Sequence, residues 1–306
     1  VAIQFRKLDA IKVKGKSNLI PIFEPFAAMS ADAKEKKKAD SRQIMVGRER
    51  ELKKFILSLI ALREESQGSI QIIEGLPGCG KSLMLEQIRK RASAMGFIVA
   101  ATEANALDTR TPYLVWKNII WRLIRYRNEN KEDAKVRILE ELEARDLDPV
   151  DFPVLNDVLN MGLKESRQTQ LLDADARANQ LGRFLSILLS NRVADQGLVL
   201  LFDDCQWMDE QSWGLVATVA AEIPRMILVM GLRQIPETVP WTVQSLLEES
   251  TTTNLGPLPQ GEASQLMRTI LDCDSMDPKA IELVYERSGG NPYFVAELVR
   301  ICLAEE

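Results

Sequence analysis

Hydrophobic residues along the chain fall into two patterns, short apolar runs and longer stretches in which apolar residues recur every three or four positions. The short runs predict buried strands, because strands covered on both faces are apolar throughout their length. They lie at 69–74, 96–101, 198–203 and 226–231, and the stretch 251–258 predicts a last strand with a turn.

The wider spacing predicts amphipathic helices. In the segment 81–95, Leu85, Ile88, Ala92 and Met95 lie on one stripe. Further helices are predicted after Leu52, near 113–127, 131–145, 150–161, 174–192, 261–272 and 278–287, and from Pro292 onward. Because strands and helices alternate, the pattern predicts an α/β fold with a parallel sheet.

The pattern also divides the chain. Residues 1–26 contain two extended runs, at 10–13 and 20–23, around a polar turn, which predicts a β-hairpin. Two strands are not stable alone, so we expect this hairpin to complete a sheet of an upstream domain. The polar, lysine-rich residues 27–43 predict a linker. We therefore expect the α/β domain at 44–258 and a small helical lid at 259–306.

A phosphate-binding sequence lies between the first predicted strand and helix of the α/β domain. Residues 75–82 fit the pattern G-x-x-x-x-G-K-[ST]. Glycines let the backbone N–H groups of such a loop turn toward phosphate, and the following helix begins there with its positive dipole end. The alternative, a glycine-rich turn, does not explain why strand, loop, lysine and helix agree. The predicted nucleotide contacts are Gly75, Pro77, Gly78, Cys79, Gly80, Lys81 and Ser82.

Two adjacent acids follow the apolar run at 198–202. Neighbouring carboxylates at the end of a buried strand are costly unless a cation compensates them, and Mg²⁺ held by the Ser82 hydroxyl would do so. Asp203 is then the predicted metal ligand, and Asp204 is the residue that orients or deprotonates the attacking water. Many P-loop ATPases have Glu at the second position, so the pattern supports nucleotide binding more strongly than hydrolysis.

A third charged position follows the strand predicted at 226–231. Arg233 lies just past the end of that strand, where its charge would face the γ-phosphate. Together with Lys81 it would stabilise the charge of the transferred phosphoryl group, and a surface arginine is the alternative. These residues therefore predict a nucleoside triphosphate bound with Mg²⁺.

Composition excludes several other functions. The chain has 306 residues, a net charge of −5 and no histidine, so histidine-based catalysis and metal binding are impossible within it. The acidic balance argues against a mainly nucleic-acid-binding surface. No run approaches the ~20 apolar residues of a membrane-spanning helix, so we expect no membrane span.

The spacing of the cysteines indicates the cellular compartment, and the first residue indicates a fragment. Cys79, Cys205, Cys273 and Cys302 are widely spaced and form no C-x-x-C pair, which favours a reducing compartment and hence a cytoplasmic protein. No signal peptide is visible and the first residue is Val, so we expect a fragment of a longer chain.

The order of motifs resembles that of STAND-class NTPases, which are relatives of AAA+ ATPases. The run 46–51 is similar to their opening G-R-E-x-E signature, the run 203–209 to D-D-x-Q-W-x-D, 254–258 to L-x-P-L, and 289–294 to G-N-P-[FY]-[FY]. The resemblance implies a P-loop α/β/α sheet with a C-terminal helical lid. It also implies that Arg48 and Glu49 close over the nucleotide, that Arg233 is the sensor arginine, and that Pro292 packs near the base.

The N-terminal stretch 8–25 resembles the C-terminal hairpin of class III nucleotide cyclase catalytic domains. In that family the lysine at the position of Lys14 contacts substrate phosphates. The metal-binding aspartates of a cyclase are not in this sequence, so it is not expected to cyclise a nucleotide alone. The best hypothesis for the whole chain is a fragment of a cytosolic class III cyclase, adenylyl type favoured, whose cyclase domain and C-terminal helical repeats lie outside it.

We therefore expect an ATP–Mg²⁺-binding regulatory switch with slow hydrolysis, ATP being favoured over GTP. Three alternatives stay open. A STAND transcription regulator would need a helix-turn-helix, and an AAA+ motor would need a catalytic glutamate; neither is found here. A nucleotide-binding scaffold without turnover is the third.

Overall fold

The computed structural model describes residues 3–7, 23–28, 45–107, 109–125, 129–193, 196–235, 239, 241–248 and 250–304. The chain divides into two units, Val1–Ile44 and Met45–Glu306. The division falls one residue after the predicted start of the α/β domain at 44. The identities of the predicted domains stay predictions.

The first unit contains two antiparallel strands, β1 (Ile3–Lys7) and β2 (Phe23–Ala28). Lys7 pairs with Phe23, and the register shifts between Gln4 and Phe5. Strand β2 begins at the last residue of the predicted run 20–23 and continues two residues past the predicted domain boundary. The predicted strand 10–13, the turn with Lys14 and the linker from residue 29 to 43 lie outside the described residues.

The second unit is built on a five-stranded sheet in the order β4-β5-β6-β3-β7, in which every neighbouring pair is parallel. All five predicted strands are confirmed. Strand β6 separates β3 from β5, so the carboxyl ends of these three strands lie side by side. The strands are β3 (Ser69–Gly75), β4 (Ile98–Glu103), β5 (Leu198–Asp203), β6 (Met226–Leu232) and β7 (Thr251–Leu255).

Helices cover both faces of the sheet. The helices of the described residues are α1 (Glu49–Glu64), α2 (Lys81–Ala94), α3 (Leu114–Ile124), α4 (Lys131–Glu143), α5 (Asn156–Leu159), α6 (Arg167–Leu171), α7 (Ala174–Val193), α8 (Glu210–Glu222), α9 (Trp241–Glu248), α10 (Gln260–Leu271), α11 (Pro278–Ser288) and α12 (Pro292–Ala304). In the part of the chain that the structure describes, no helix is both long and apolar enough to cross a membrane.

One predicted helix is corrected. The segment 150–161 is a 3₁₀ helix, Pro149–Leu155, followed by the short α5. Pro153 lies inside the 3₁₀ segment, and since proline has no N–H and clashes with the preceding turn, a continuous α-helix cannot form there.

Strand β5 shows how the sheet separates two cores. Leu198, Leu200 and Phe202 pack into the larger core with α3, α7 and α8, whereas Val199 and Leu201 pack into the core with α1 and α2. Successive side chains of a strand point to opposite faces, so an apolar run is buried on both sides. Helices α10 to α12 form a third, smaller core around Met267, Val295 and Val299.

Candidate functional site

The glycine-rich loop joins the carboxyl end of β3 directly to the start of α2. Gly78 and Gly80 have left-handed backbone angles, with φ of 83° and 95°, which glycine adopts without strain. Gly80 is the residue before the first turn of α2 and offers no capping side chain. The free N–H groups of that turn are therefore available to an anion, as the sequence predicts.

Lys81 is buried, and its Nζ donates to the carbonyl oxygens of Gly75 at 2.8 Å and Leu76 at 3.3 Å. Burial lowers the pKa of Lys81, the charges of Asp204 and Asp203 raise it, and that of Arg233 lowers it. Four predicted site residues therefore share one electrostatic environment.

Asp203 ends β5 as a half-buried carboxylate. Its Oδ1 accepts a hydrogen bond from the backbone N–H of Asp204 at 2.9 Å. Burial raises the pKa of Asp203, and a hydrogen bond with Ser82 opposes that rise. A carboxylate that loses hydration beside a hydroxyl is a site that a divalent cation stabilises, so the two predicted ligands fit Mg²⁺.

Two neighbours of Asp203 were missed by the sequence analysis. Glu103 pairs with Asp203 in the register of β4 and β5, and its charge also raises the pKa of Asp203. The predicted strand ended at 101, two residues too early to reveal this. On the other side, a Cβ added to Gly231 would lie 2.9 Å from Asp203 Oδ1 and 3.1 Å from Leu85 Cδ1. Glycine at this position makes room for the carboxylate.

Asp204 lies beside Asp203 but in a different conformation. Its φ of 52° places it in the left-handed region, and its Oδ1 accepts from the Gln206 amide Nε2 at 2.8 Å. The Gln206 Oε1 in turn accepts from the backbone N–H of Arg233 at 3.1 Å. Gln206 therefore links the predicted water-orienting residue to the predicted sensor arginine, whose side chain is exposed.

The last acid of the D-D-x-Q-W-x-D run has a structural task. Asp209 is buried and caps α8, accepting from the Ser212 N–H at 2.9 Å and the Ser212 hydroxyl at 2.6 Å. It also accepts from the backbone N–H of Tyr113, at the start of α3, at 3.1 Å. The motif therefore combines catalytic candidates with a junction between two helices.

The segment before α1 lies against the end of the sheet. The Arg48 guanidinium donates to the carbonyl of Gly256, just past β7, and to Glu51 Oε1 at 3.2 Å. Gly47 has a left-handed φ of 70°, and a Cβ added there would meet the Glu262 carboxylate of α10, which would have to move. Arg48 therefore holds this segment beside β7 and the lid. Contacts of Arg48 and Glu49 with the nucleotide stay predictions.

The lid touches the phosphate loop directly. The Asn291 Nδ2 donates to the Pro77 carbonyl at 2.9 Å, and the Tyr293 backbone N–H donates to the Gly78 carbonyl at 3.3 Å. Pro292, the predicted base-side residue, lies between them at the start of α12. Asn291 was not among the predicted site residues, because only the folded chain brings it to the loop.

A parallel sheet with a glycine-rich loop after β3 and an acid pair after β5 defines a P-loop NTPase. Residues 45–230, more than half of the chain, match the family model described as AAA ATPase domain. The chain belongs to this family, as the resemblance to AAA+ relatives implies, and is an AAA-type P-loop ATPase module.

The chain is also similar to curated proteins. The chain is 23% identical over 264 residues to adenylate cyclase type 10 of Rattus norvegicus and 18% identical over 263 residues to that of Homo sapiens. Each match covers 84% of this chain and only 16% of the relative, so the chain spans about a sixth of their length. The predicted resemblance to class III cyclases of the adenylyl type is confirmed at this level of similarity.

A solved structure supports the fold. The Aeropyrum pernix ORC1 protein, solved in complex with DNA, superposes with a TM-score of 0.52 and 17% identity, covering 85% of this chain and 60% of that one. At this identity the likeness shows the fold alone.

Proposed function

We propose that the second unit binds ATP with Mg²⁺, hydrolyses it slowly and acts as a regulatory switch. The observation that carries the proposal is the convergence of Lys81, Ser82, Asp203, Asp204 and Arg233 at the carboxyl ends of three adjacent parallel strands. Ligands of open α/β sheets bind at this edge, outside the ends of the strands.

Each residue has a chemical task in this proposal. Lys81 would exchange its two carbonyl partners for the β- and γ-phosphates, while Ser82 and Asp203 would hold the cation. Mg²⁺, when bound, neutralises charge on the phosphate oxygens. Asp204 would orient the attacking water and accept its proton through Oδ2, because Oδ1 already accepts from Gln206. Arg233 would stabilise the charge on the γ-phosphate.

The contact between lid and phosphate loop supports a regulatory role. Because Asn291 and Tyr293 bond to carbonyls of the loop, a nucleotide that reorders the loop must change the docking of the lid. We propose that this movement is passed to neighbouring domains of a cytoplasmic cyclase of the adenylyl type. In this proposal the first unit is the end of a cyclase catalytic domain, and ATP is preferred to GTP.

Calorimetric titration with ATP and with GTP, each with and without Mg²⁺, tests the proposal. We expect magnesium-dependent ATP binding that weakens at least about tenfold in Lys81→Ala, since a charge-assisted hydrogen bond contributes roughly 1.5–3 kcal/mol. Lys90→Ala is the matched control, because Lys90 lies on the same helix but pairs with Glu86 on its exposed face. Absence of ATP binding, or equal affinity in Lys81→Ala, would refute the proposal.

A second candidate, nucleotide binding without turnover, is favoured by one observation. Asp204 is shorter than glutamate, and one of its oxygens is already engaged by Gln206. Phosphate release by the wild-type chain, measured beside Asp204→Asn, separates the two: slow release that the substitution abolishes supports hydrolysis, whereas no release from either chain supports the binding-only candidate.

A further inference from the structure

The Gln206 side chain bridges the ends of β5 and β6. Its amide donates to Asp204 Oδ1 at 2.8 Å and accepts from the Arg233 N–H at 3.1 Å. Both ends of one amide group are therefore used, each on a residue of the proposed hydrolytic machinery.

The two bonds hold groups that lie just past the paired parts of the strands. Asp204 has a left-handed φ of 52° and is followed by a single 3₁₀ turn, Cys205–Trp207, which contains Gln206. Arg233 lies immediately after β6 and is exposed. A planar amide can donate at one end and accept at the other, so it couples the orientation of the carboxylate to the position of the Arg233 backbone.

We propose that Gln206 is a positioning residue for hydrolysis, which orients the Asp204 carboxylate toward the attacking water and ties that orientation to Arg233. The inference rests on the proposed function and deepens it. When Arg233 engages the γ-phosphate, its backbone would carry the amide, and with it the carboxylate, so that water is oriented only when the γ-phosphate is present.

Two substitutions separate positioning from packing. Gln206→Leu removes both hydrogen bonds with a side chain of similar size. We expect kcat to fall at least about tenfold, which is within the range that a positioned general base contributes. The dissociation constant for ATP should stay within about twofold, because Gln206 is not placed against the phosphates. Gln206→Glu is isosteric and still accepts from the Arg233 N–H, but it opposes Asp204 with like charge, so kcat should fall at least as far.

Gln244→Leu is the matched control. Gln244 likewise donates a hydrogen bond through its amide, here to the Val239 carbonyl at 3.0 Å, but it lies on α9 and outside the predicted site. We expect its kcat and its affinity for ATP to equal those of the wild type. Thermal unfolding of all variants checks that they fold, and if Gln206→Leu does not, Gln206→Glu carries the test alone.

The outcomes separate this inference from the proposed function. Wild-type kcat in Gln206→Glu, or a loss in Gln206→Leu that appears equally in ATP affinity, would overturn the positioning role. A wild-type chain that binds ATP but does not hydrolyse it would overturn the role while leaving ATP binding intact. A wild-type chain that binds no ATP would remove the proposed function itself.

Discussion

At the scale of a single residue, the carboxylate of Asp203 lowers the stability of the folded chain although it is the predicted metal ligand. Burial raises its pKa, so the folded chain loses stability as pH rises from the ordinary carboxyl pKa to the raised one, and the full cost is present at neutral pH. Asp203→Asn removes this cost. We therefore expect the unfolding midpoint without nucleotide at neutral pH to rise by about 2–4 °C, while the magnesium dependence of ATP binding is lost. Differential scanning calorimetry and titration measure the two effects.

An unchanged or lower midpoint in Asp203→Asn would show that Ser82 and the Asp204 N–H fully compensate the buried charge. Asp157→Asn is a useful contrast, because Asp157 forms an ion pair with Arg177 at 2.6 Å, away from the predicted site. There the substitution removes an attractive partner, so we expect the midpoint to fall and ATP binding to persist.

Gly231 makes a second prediction at this scale. A methyl group there would crowd Asp203 Oδ1 at 2.9 Å, so Gly231→Ala should displace the carboxylate and weaken magnesium-dependent ATP binding at least about tenfold. Gly214→Ala is the control, since nothing lies within 4 Å of its added Cβ and alanine favours the helix α8. Equal ATP affinity in Gly231→Ala and the wild type, measured by calorimetry, would contradict the expected crowding.

At the scale of the element, Asp209 joins two helices through one buried carboxylate. Asp209→Ala leaves the Tyr113 N–H and two Ser212 donors without their partner, so we expect a loss of about 3 kcal/mol in the free energy of unfolding. Asp277→Ala is matched to it, because Asp277 caps α11 through one exposed bond to the Lys279 N–H and should cost less than about 1 kcal/mol. Urea unfolding measures both losses. If Asp209→Ala and Asp277→Ala lower the free energy of unfolding by similar amounts, burial of the carboxylate does not determine the loss.

Elements that bury apolar residues periodically were predictable from the sequence. All five strands of the sheet and most helices lie within a few residues of their predicted positions. Helices α6, α8 and α9 were not predicted, and α6 and α9 are short. The helix predicted at 150–161 is a 3₁₀ helix followed by a short α-helix, and Pro153 lies inside the 3₁₀ segment.

The candidate site was predictable only where local sequence dictates chemistry. The predicted residues Lys81, Ser82, Asp203 and Arg233 lie at or just after the carboxyl ends of strands, so their proximity could be predicted. Contacts made across long sequence separations could not, because they depend on tertiary packing: the Asn291 contact with Pro77 spans 214 residues, and the Gln206 contact with Arg233 spans 27.

At the scale of the whole second unit, the sheet and the lid meet at the phosphate loop. A Cβ on Gly78 would lie 2.6 Å from Asn291 Oδ1 and 2.8 Å from the Tyr293 Cβ, so the approach is as close as glycine allows. Arg48 adds a second connection, from the start of α1 to the segment between β7 and the lid. The lid is thus bonded directly to the phosphate loop, and Arg48 holds the segment that leads into it. The proposed regulatory role predicts that the docking of the lid responds to nucleotide in the loop.

Hydrogen exchange followed by mass spectrometry tests this coupling. We expect ATP with Mg²⁺ to slow exchange in α10 to α12, because a ligand that contacts the folded arrangement stabilises it. Asn291→Ala removes the bond to the Pro77 carbonyl, so lid exchange without nucleotide should become faster while β5 and β6 stay as protected as before. Asn191→Ala, whose side chain accepts from Arg145 on another part of the surface, should leave the lid unchanged. Identical lid exchange in Asn291→Ala and the wild type would mean that this hydrogen bond does not hold the lid, and the regulatory proposal would then rest on Tyr293 and Arg48 alone.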